Sequence, residues 1–240
     1  MRDDGRLILS PEGNMGSVLR LDITLKDGET VLTHDEFQVD ASVVPDAGLA
    51  EVEAYYVADM DDKLNEQIGK STGYLDRVAV GNLAADAFRA YGAADFGWMN
   101  GGGARADIPG PPVTLRDAYS VLPFGNRVSV IEVTGEQLRT GLEFSGGDRT
   151  RPAGFGYTYT ASAPEGSRIS DLHTTEGPVD PAGTYTLAIT SFVAQGNPAF
   201  KNAPVNLSAE DGTVDVSALI DHIKAVGTLS PDAQPRVTVQ

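Results

Sequence analysis

The sequence predicts an α+β fold in which a mixed β-sheet packs against helices, preceded by a β-hairpin and a long helix. Stretches that alternate apolar and polar residues, as strands do, are interleaved with stretches whose apolar residues recur every three or four positions, as in helices. The strand stretches recur in hairpin-like pairs, which favours a mixed sheet over an all-parallel one. The 240 residues are enough for one large domain, or for one domain with a structured appendage.

The first 70 residues predict a hairpin and then a helix. Alternating strands near residues 17–25 and 31–39 flank an Asp-Gly dipeptide, which is typical of a tight hairpin turn. Helical spacing then runs from 46 to 68, after a Pro-Asp start and before Gly69. We expect a long exposed helix that ends at this glycine and links the hairpin to the rest of the chain.

The remainder alternates helices with strands. A second helix is expected to open at Gly81-Asn82 and to end at Gly92, and a short helix to start at a Thr114 cap and stop at Pro123. Between them, "DFGWM" is a short buried strand that runs into three glycines. Later strands are predicted in "RVSVIEVT", "GFGYTYTAS", "SRISDLH", "TYTLAITSFVA" and "PRVTVQ", and later helices in "GEQLRTGLEFS" and "DVSALIDHIKAVG".

Composition excludes several classes of function. The formal net charge of −16, without any cluster of basic residues, disfavours binding to nucleic acid or to an anionic membrane. No run approaches the roughly 20 apolar residues of a membrane-spanning helix, and the N-terminal "MRDDGRLILSPEG" does not resemble a signal peptide. With no cysteine in the chain, disulfides and thiol chemistry are excluded.

Familiar catalytic motifs are also missing from the sequence. The three histidines lie far apart and form no H-x-H or H-E-x-x-H pair, so no transition-metal site is expected. There is no G-x-S-x-G nucleophile elbow, and the three glycines are not followed by the Lys-Ser or Lys-Thr of a phosphate-binding P-loop.

The stretch "NGGGAR", residues 100–105, is the first candidate for a binding site. Glycines after a strand let backbone N–H groups face a ligand, or let a ligand approach the backbone closely. Asn100 can donate and accept hydrogen bonds, which suits the edge of a nucleobase, and the Arg105 guanidinium can bind a hydroxyl or a phosphate. The alternative is a tight turn that only needs positive φ. The residues alone leave both interpretations open.

Phe124, in "VLPFGNRV", is the second candidate. It lies between Pro123 and Gly125 in a loop, where a phenylalanine can offer a stacking surface to a flat ring. The commoner alternative is that such a side chain turns inward and fills the core.

Together, "GNLAADAF", "MNGGGARADI" and "VTLRDAYSVLPFGNRVSVIEVTGEQLRTGLE" resemble the C-terminal domain of the 5′-nucleotidase / UDP-sugar hydrolase family. "GSRISDL" and "GPVDPAGTYTLAITSFVAQG" are similar to the second half of that domain. Upstream, "GNMGSVLRLDITL" is similar to the closing strand pair of the family's metallophosphoesterase domain. The resemblance thus divides the chain into residues 1–45 from the end of a catalytic domain, a linker helix at 46–70, and a substrate-binding domain at 71–240.

This resemblance implies roles for the candidate residues. In the family, a two-metal N-terminal domain hydrolyses phosphate esters, while the C-terminal domain holds the nucleoside and a hinge rotation brings the two together. Asn100 would contact the base, Arg105 the sugar or the phosphate side, and Phe124 would form one face of an aromatic clamp. Gly102 and Gly103 would let the loop lie close to the bound nucleoside.

The departures from the family pattern set further expectations. The N-H-[DE] and G-H-x-H metal motifs are absent, so we expect no catalytic residue, metal or cofactor in this chain and no ester hydrolysis by it alone. The family's G-G-D-G-F loop is replaced by "FVAQGNPAFKN", where Phe200 is the candidate for the second clamp face. Arg77 is the candidate for an arginine that the family places before Gly-Asn-Leu.

The expected partners are a nucleoside or nucleotide and a metallophosphoesterase domain, and the family implies a location outside the cytoplasm. The alternative function is an interaction module that keeps the fold but not the pocket.

Overall fold

In the computed structural model, which describes residues 8–13 and 15–240, the chain divides into two units. The first extends to Met60, and the second runs from Asp61 to Gln240. The expected hairpin lies in the first unit, and the division falls within the long helix. That the first 45 residues come from a catalytic domain stays a prediction.

Two antiparallel strands form the first unit's hairpin, as predicted. β1 (Ser17–Lys26) pairs with β2 (Glu29–Gln38) along its whole length. Asp27 and Gly28 connect them with φ values of 53° and 82°. Two consecutive positive φ angles are what a tight two-residue hairpin turn requires, and Asp and Gly tolerate them best.

The long helix, α1 (Ala47–Leu64), begins where the sequence predicts but ends earlier. The predicted end at Gly69 is wrong, because residues Gln67–Ser71 form strand β3. Ile68 is buried in this strand, and a Cβ on Gly69 would lie 2.7 Å from the Cγ2 atom of Ile223. The prediction extended the helix because the apolar Ile68 also matches the helical spacing, but in the structure this residue lies in a strand.

The second unit is built on a five-stranded mixed sheet of order β12-β6-β11-β4-β7, in which β4 and β11 are parallel and the other neighbours antiparallel. Two smaller sheets, β10-β9-β8-β14 and β13-β3-β5, flank it. The strands are β4 (Phe96–Asn100), β5 (Val113–Thr114), β6 (Val128–Thr134), β7 (Thr150–Ala153), β8 (Gly156–Tyr159), β9 (Ile169–Thr174), β10 (Gly177–Pro178), β11 (Thr184–Thr190), β12 (Val205–Leu207), β13 (Thr228–Leu229) and β14 (Val237–Val239).

Helices cover both faces of this sheet, which confirms the predicted α+β fold. They are α2 (Arg77–Tyr91), α3 (Leu115–Val121), α4 (Gly135–Ser145), α5 (Ser191–Gly196) and α6 (Asp215–Val226). Successive strand residues enter different apolar clusters: Met99 packs with α2 and α6, and Trp98 packs with α4 and α5. This alternation is expected of a strand covered on both sides. Within the described part of the chain, no helix has the length and hydropathy needed to cross a membrane.

Two further element boundaries differ from the sequence prediction. α2 opens at Arg77 and not at Gly81-Asn82, because the Asp76 carboxylate caps it by accepting from the N–H groups of Val78 and Ala79. The stretch "SFVA" was predicted to continue a strand, but it forms the first turn of α5.

A half-buried arginine, Arg236, holds the C-terminal strand in place. The Nη1 and Nη2 groups of Arg236 donate four hydrogen bonds, two to the Asp86 carboxylate, one to Asp232 and one to the Pro152 carbonyl, at 2.7–2.9 Å. Its Nε atom also lies 2.7 Å from the second Asp232 oxygen. Asn82 in turn donates to Asp232. Burial disfavours the charged guanidinium, but its hydrogen bonds to the two carboxylates outweigh this and raise the pKa of Arg236. The cluster therefore ties the segment before β14 to α2.

We expect Arg236→Met to lower the free energy of unfolding by about 2–3 kcal/mol, because it leaves two half-buried carboxylates facing each other without a cation. Urea unfolding followed by the fluorescence of Trp98, the one tryptophan of the chain, measures this change. Arg139→Met is the matched control, since it removes an exposed ion pair with Glu136 and should cost less than about 1 kcal/mol. Equal losses in the two variants would contradict the assigned role of Arg236.

Candidate functional site

One edge of the main sheet gathers most of the residues predicted to bind a ligand. The parallel strands β4 and β11 both end there, and their antiparallel neighbours β7 and β6 both begin there, with pairs Asn100↔Thr150 and Thr190↔Val128. Four segments therefore meet at this edge: the glycine loop after β4, the first turn of α5, the loop before β6 and the turn before β7.

The glycine loop is a turn in which each glycine has a different environment. The N–H of Gly103 donates to the Asn100 carbonyl at 2.9 Å, and the N–H of Gly101 donates to the Arg149 carbonyl. A Cβ on Gly101 would lie 2.5 Å from that carbonyl oxygen, and one on Gly103 would collide with the Met99 side chain. A Cβ on Gly102 would meet no atom within 4 Å.

Positive φ does not explain these glycines. Gly101, Gly102 and Gly103 all have φ values outside the left-handed region, so a turn that needs positive φ is not the reason for them. Packing requires a glycine at position 101 and disfavours a side chain at position 103. Neither packing nor conformation requires a glycine at position 102.

A cleft of about 350 Å³ lies beside this loop, within the size range of small-molecule sites. We call it the glycine-loop cleft and define it by Asn100, Gly102, Phe144, Arg149 and Phe192, which line it with their neighbours. Amide, guanidinium and aromatic groups thus border one opening, as recognition of a polar, flat molecule requires.

Arg105 and Phe124 lie together beside the cleft. The Nη1 atom of Arg105 donates to the Gly102 carbonyl at 3.2 Å, and its guanidinium carbon is 5.7 Å from the centre of the Phe124 ring. That distance is within the range of cation–π attraction. Phe124 is 60% exposed, so the alternative that it fills the core is wrong.

The structure does not place the other two predicted residues at the cleft. Phe200 is only 4% exposed, and its ring packs edge-to-face on Trp98 at 5.4 Å and against Gly141. The expectation that it offers a stacking face is corrected by this burial. Arg77 begins α2, and its Nε atom lies 3.9 Å from the Asp107 carboxylate.

Three residues that line the cleft were not predicted from the sequence to bind a ligand. The sequence prediction places Phe192 at the end of a strand and Phe144 within an amphipathic helix, and assigns neither ring to a site. Arg149 stands in a polar turn that no motif marks. Their shared feature is side-chain exposure at one sheet edge, which depends on the tertiary fold.

The His, Asp and Glu side chains of the described residues do not form a metal-binding cluster. Within residues 8–13 and 15–240, no group of three or more His, Asp or Glu side chains is arranged to hold a metal ion. These residues therefore do not fit the two-metal centre that the resemblance associates with ester hydrolysis.

Known proteins match both the sequence and the fold. The sequence model of the family described as "5′-nucleotidase, C-terminal domain" matches residues 56–204, more than half of the chain. Endonuclease YhcR of Bacillus subtilis is 29% identical over 217 residues, which are 85% of this chain and 17% of that protein. A probable 5′-nucleotidase of Treponema pallidum is 32% identical over 153 residues, which are 56% of this chain and 26% of that protein.

A solved structure agrees. The 5′-nucleotidase precursor of Thermus thermophilus superposes with a TM-score of 0.76 at 24% identity, over 93% of this chain and 50% of that one. The chain thus spans half or less of the length of each of these proteins. From the family match, supported by this shared fold, the chain belongs to the 5′-nucleotidase C-terminal domain family.

Proposed function

We propose that this chain is the nucleotide-recognition part of a 5′-nucleotidase-type phosphohydrolase, with its ligand at the glycine-loop cleft. The observation that carries the proposal is Gly102, which lines the cleft with open space where its side chain would be. A glycine that the fold itself does not require is explained by a ligand that must approach the backbone.

The surrounding groups suit a nucleotide. Asn100 ends β4 at the cleft, where its amide can pair with the edge of a base. The exposed ring of Phe124 stacks on the base, and Arg105, anchored on the Gly102 carbonyl, reaches the sugar or the phosphate side. Chemistry that breaks the phosphate ester has to come from a metallophosphoesterase domain, whose motifs this sequence lacks. We assign the protein to a location outside the cytoplasm on its family likeness.

A second candidate is an interaction module that keeps the fold without a working pocket. Burial of Phe200 favours it, because the residue that the resemblance implies for the second clamp face then cannot stack on a base. The two functions differ in whether a nucleotide stabilises the protein.

A thermal-shift titration separates these two functions. We expect adenosine, AMP or UDP-glucose to raise the melting temperature saturably and without added divalent metal, because the proposed contacts involve only this chain. A flat response to all three ligands would favour the interaction module.

Phe124→Ala should weaken nucleoside binding by about 1–3 kcal/mol, the usual loss for an aromatic that stacks on a base. Isothermal titration calorimetry with adenosine gives the change directly. Tyr119→Ala is the matched control, because Tyr119 is a 49% exposed aromatic on the preceding helix, whereas Phe124 is the ring beside Arg105. An unchanged dissociation constant in Phe124→Ala would remove this residue from the site.

Two neighbouring glycines give opposite expectations. Gly101→Ala should destabilise the fold by about 1–3 kcal/mol, because its Cβ collides with the Arg149 carbonyl. Gly102→Ala should leave the unfolding free energy nearly unchanged but weaken nucleotide binding at least fivefold. Urea unfolding and calorimetry on both variants test this, and unimpaired binding by Gly102→Ala would contradict close approach of a ligand.

A further inference from the structure

The exposed phenylalanines of the second unit all lie at the sheet edge that carries the glycine-loop cleft. Of the seven phenylalanines from Asp61 onward, four are buried, and the three exposed ones are Phe124, Phe144 and Phe192, at 60%, 60% and 63%. Phe144 and Phe192 line the glycine-loop cleft, and Phe124 packs with the arginine that is bonded to its loop. Exposed aromatic rings gathered around one opening mark a surface that binds something flat and apolar.

Arg149, which has no polar partner for its guanidinium among the described residues, borders the same cleft. Every other arginine from Asp61 onward pairs with a carboxylate or donates to a carbonyl oxygen. Arg149 is exposed, and its guanidinium has no hydrogen bond or ion pair with any residue that the structure describes. With a net charge of −16, the protein as a whole repels anions. An unpaired guanidinium beside the cleft attracts an anion locally.

The strand order fixes how these groups are spaced. Phe124 lies in the loop before β6, and Phe192 lies in the helix that follows β11, so the two rings are on segments joined to adjacent strands. The link is direct, since the N–H of Ser191 donates to the Arg127 carbonyl. Arg149 precedes β7, two strands beyond β11, a lateral separation of about 10 Å. Asn100, at the end of β4, stands between them.

We propose that Phe192, and not Phe200, supplies the second aromatic face for the base, and that Arg149 binds the phosphate of the nucleotide. This inference rests on the proposed function and adds to it a preference for nucleotides over nucleosides. In this arrangement the base lies between the rings of Phe124 and Phe192, and Asn100 hydrogen-bonds to its edge. Arg105 contacts the sugar, and the phosphate reaches Arg149. A guanidinium matches phosphate oxygens in a bidentate geometry, which makes it the side chain expected there.

The test compares AMP with adenosine by calorimetry on the whole chain. Arg149→Gln should weaken AMP binding about tenfold, the effect of one lost charge-assisted hydrogen bond, and leave adenosine within twofold. Arg139→Gln is the control for net charge, because it removes the same charge from an exposed ion pair and should keep the preference for AMP. Phe192→Ala should weaken both ligands about tenfold, and Phe192→Leu, which keeps an apolar side chain at the site, should do nearly the same.

The outcomes distinguish the two proposals. If the wild type binds neither AMP nor adenosine, the proposed function fails, and this inference fails with it. If the wild type binds AMP but Arg149→Gln keeps the preference, or the Phe192 variants bind normally, only the inference is overturned. In that case the exposed rings serve a contact with another protein surface. Equal loss of both ligands in Arg149→Gln would likewise overturn the assignment of the phosphate.

Discussion

The parallel pairing of β4 with β11 is the constraint on which the proposed site depends. Parallel strands end at the same edge, so the loop that leaves one and the helix that leaves the other must be neighbours. Because β6 and β7 run antiparallel on either side, the segments that enter them come to this edge as well. Residues separated by almost a hundred positions, Asn100 and Phe192 among them, then line one cleft.

Rigidity at this edge comes from the two faces of the sheet. Trp98 and Met99 are adjacent in β4, yet they are buried in different apolar clusters, one on each face. The same division separates Ile131 from Val130 and Leu187 from Ala188 on the neighbouring strands. A strand anchored on both sides holds the residue at its end in a fixed place, which gives Asn100 a defined position for hydrogen bonding.

The sequence predicts correctly those elements that interactions between neighbouring residues determine. The hairpin and the Thr114 cap follow from alternation, turn chemistry and a side chain that bonds to nearby N–H groups, so the sequence was sufficient for them. The end of α1 was missed because Ile68 fits a helical face as well as a buried strand. The sequence prediction starts α2 at Gly81-Asn82, which is too late, because the side chain of Asp76 caps the helix and its first turn begins at Arg77.

The site shows the same limit more sharply. Asn100, Gly102, Arg105 and Phe124 could be proposed from the sequence because they lie in or beside short, recognisable loops. Phe192 and Phe200 are eight positions apart in one segment, and nothing local says which ring is exposed. The fold decides it: a 3₁₀ turn over Pro198–Phe200 directs the latter ring onto Trp98, while the first turn of α5 leaves the former at the cleft.

The three glycines connect fold and function through different physical causes. Gly101 is fixed by the approach of the β7 turn, since its N–H and its missing side chain both face the Arg149 backbone. Gly103 closes the turn over Met99 and thereby ties the loop to the core. These two contacts hold the loop still, and they leave Gly102 as its one open position, where the Arg105 side chain is anchored on its carbonyl. A loop fixed at both ends and bare in the middle can accept a ligand against its backbone without first having to order itself, so less of the binding free energy is lost to conformational entropy.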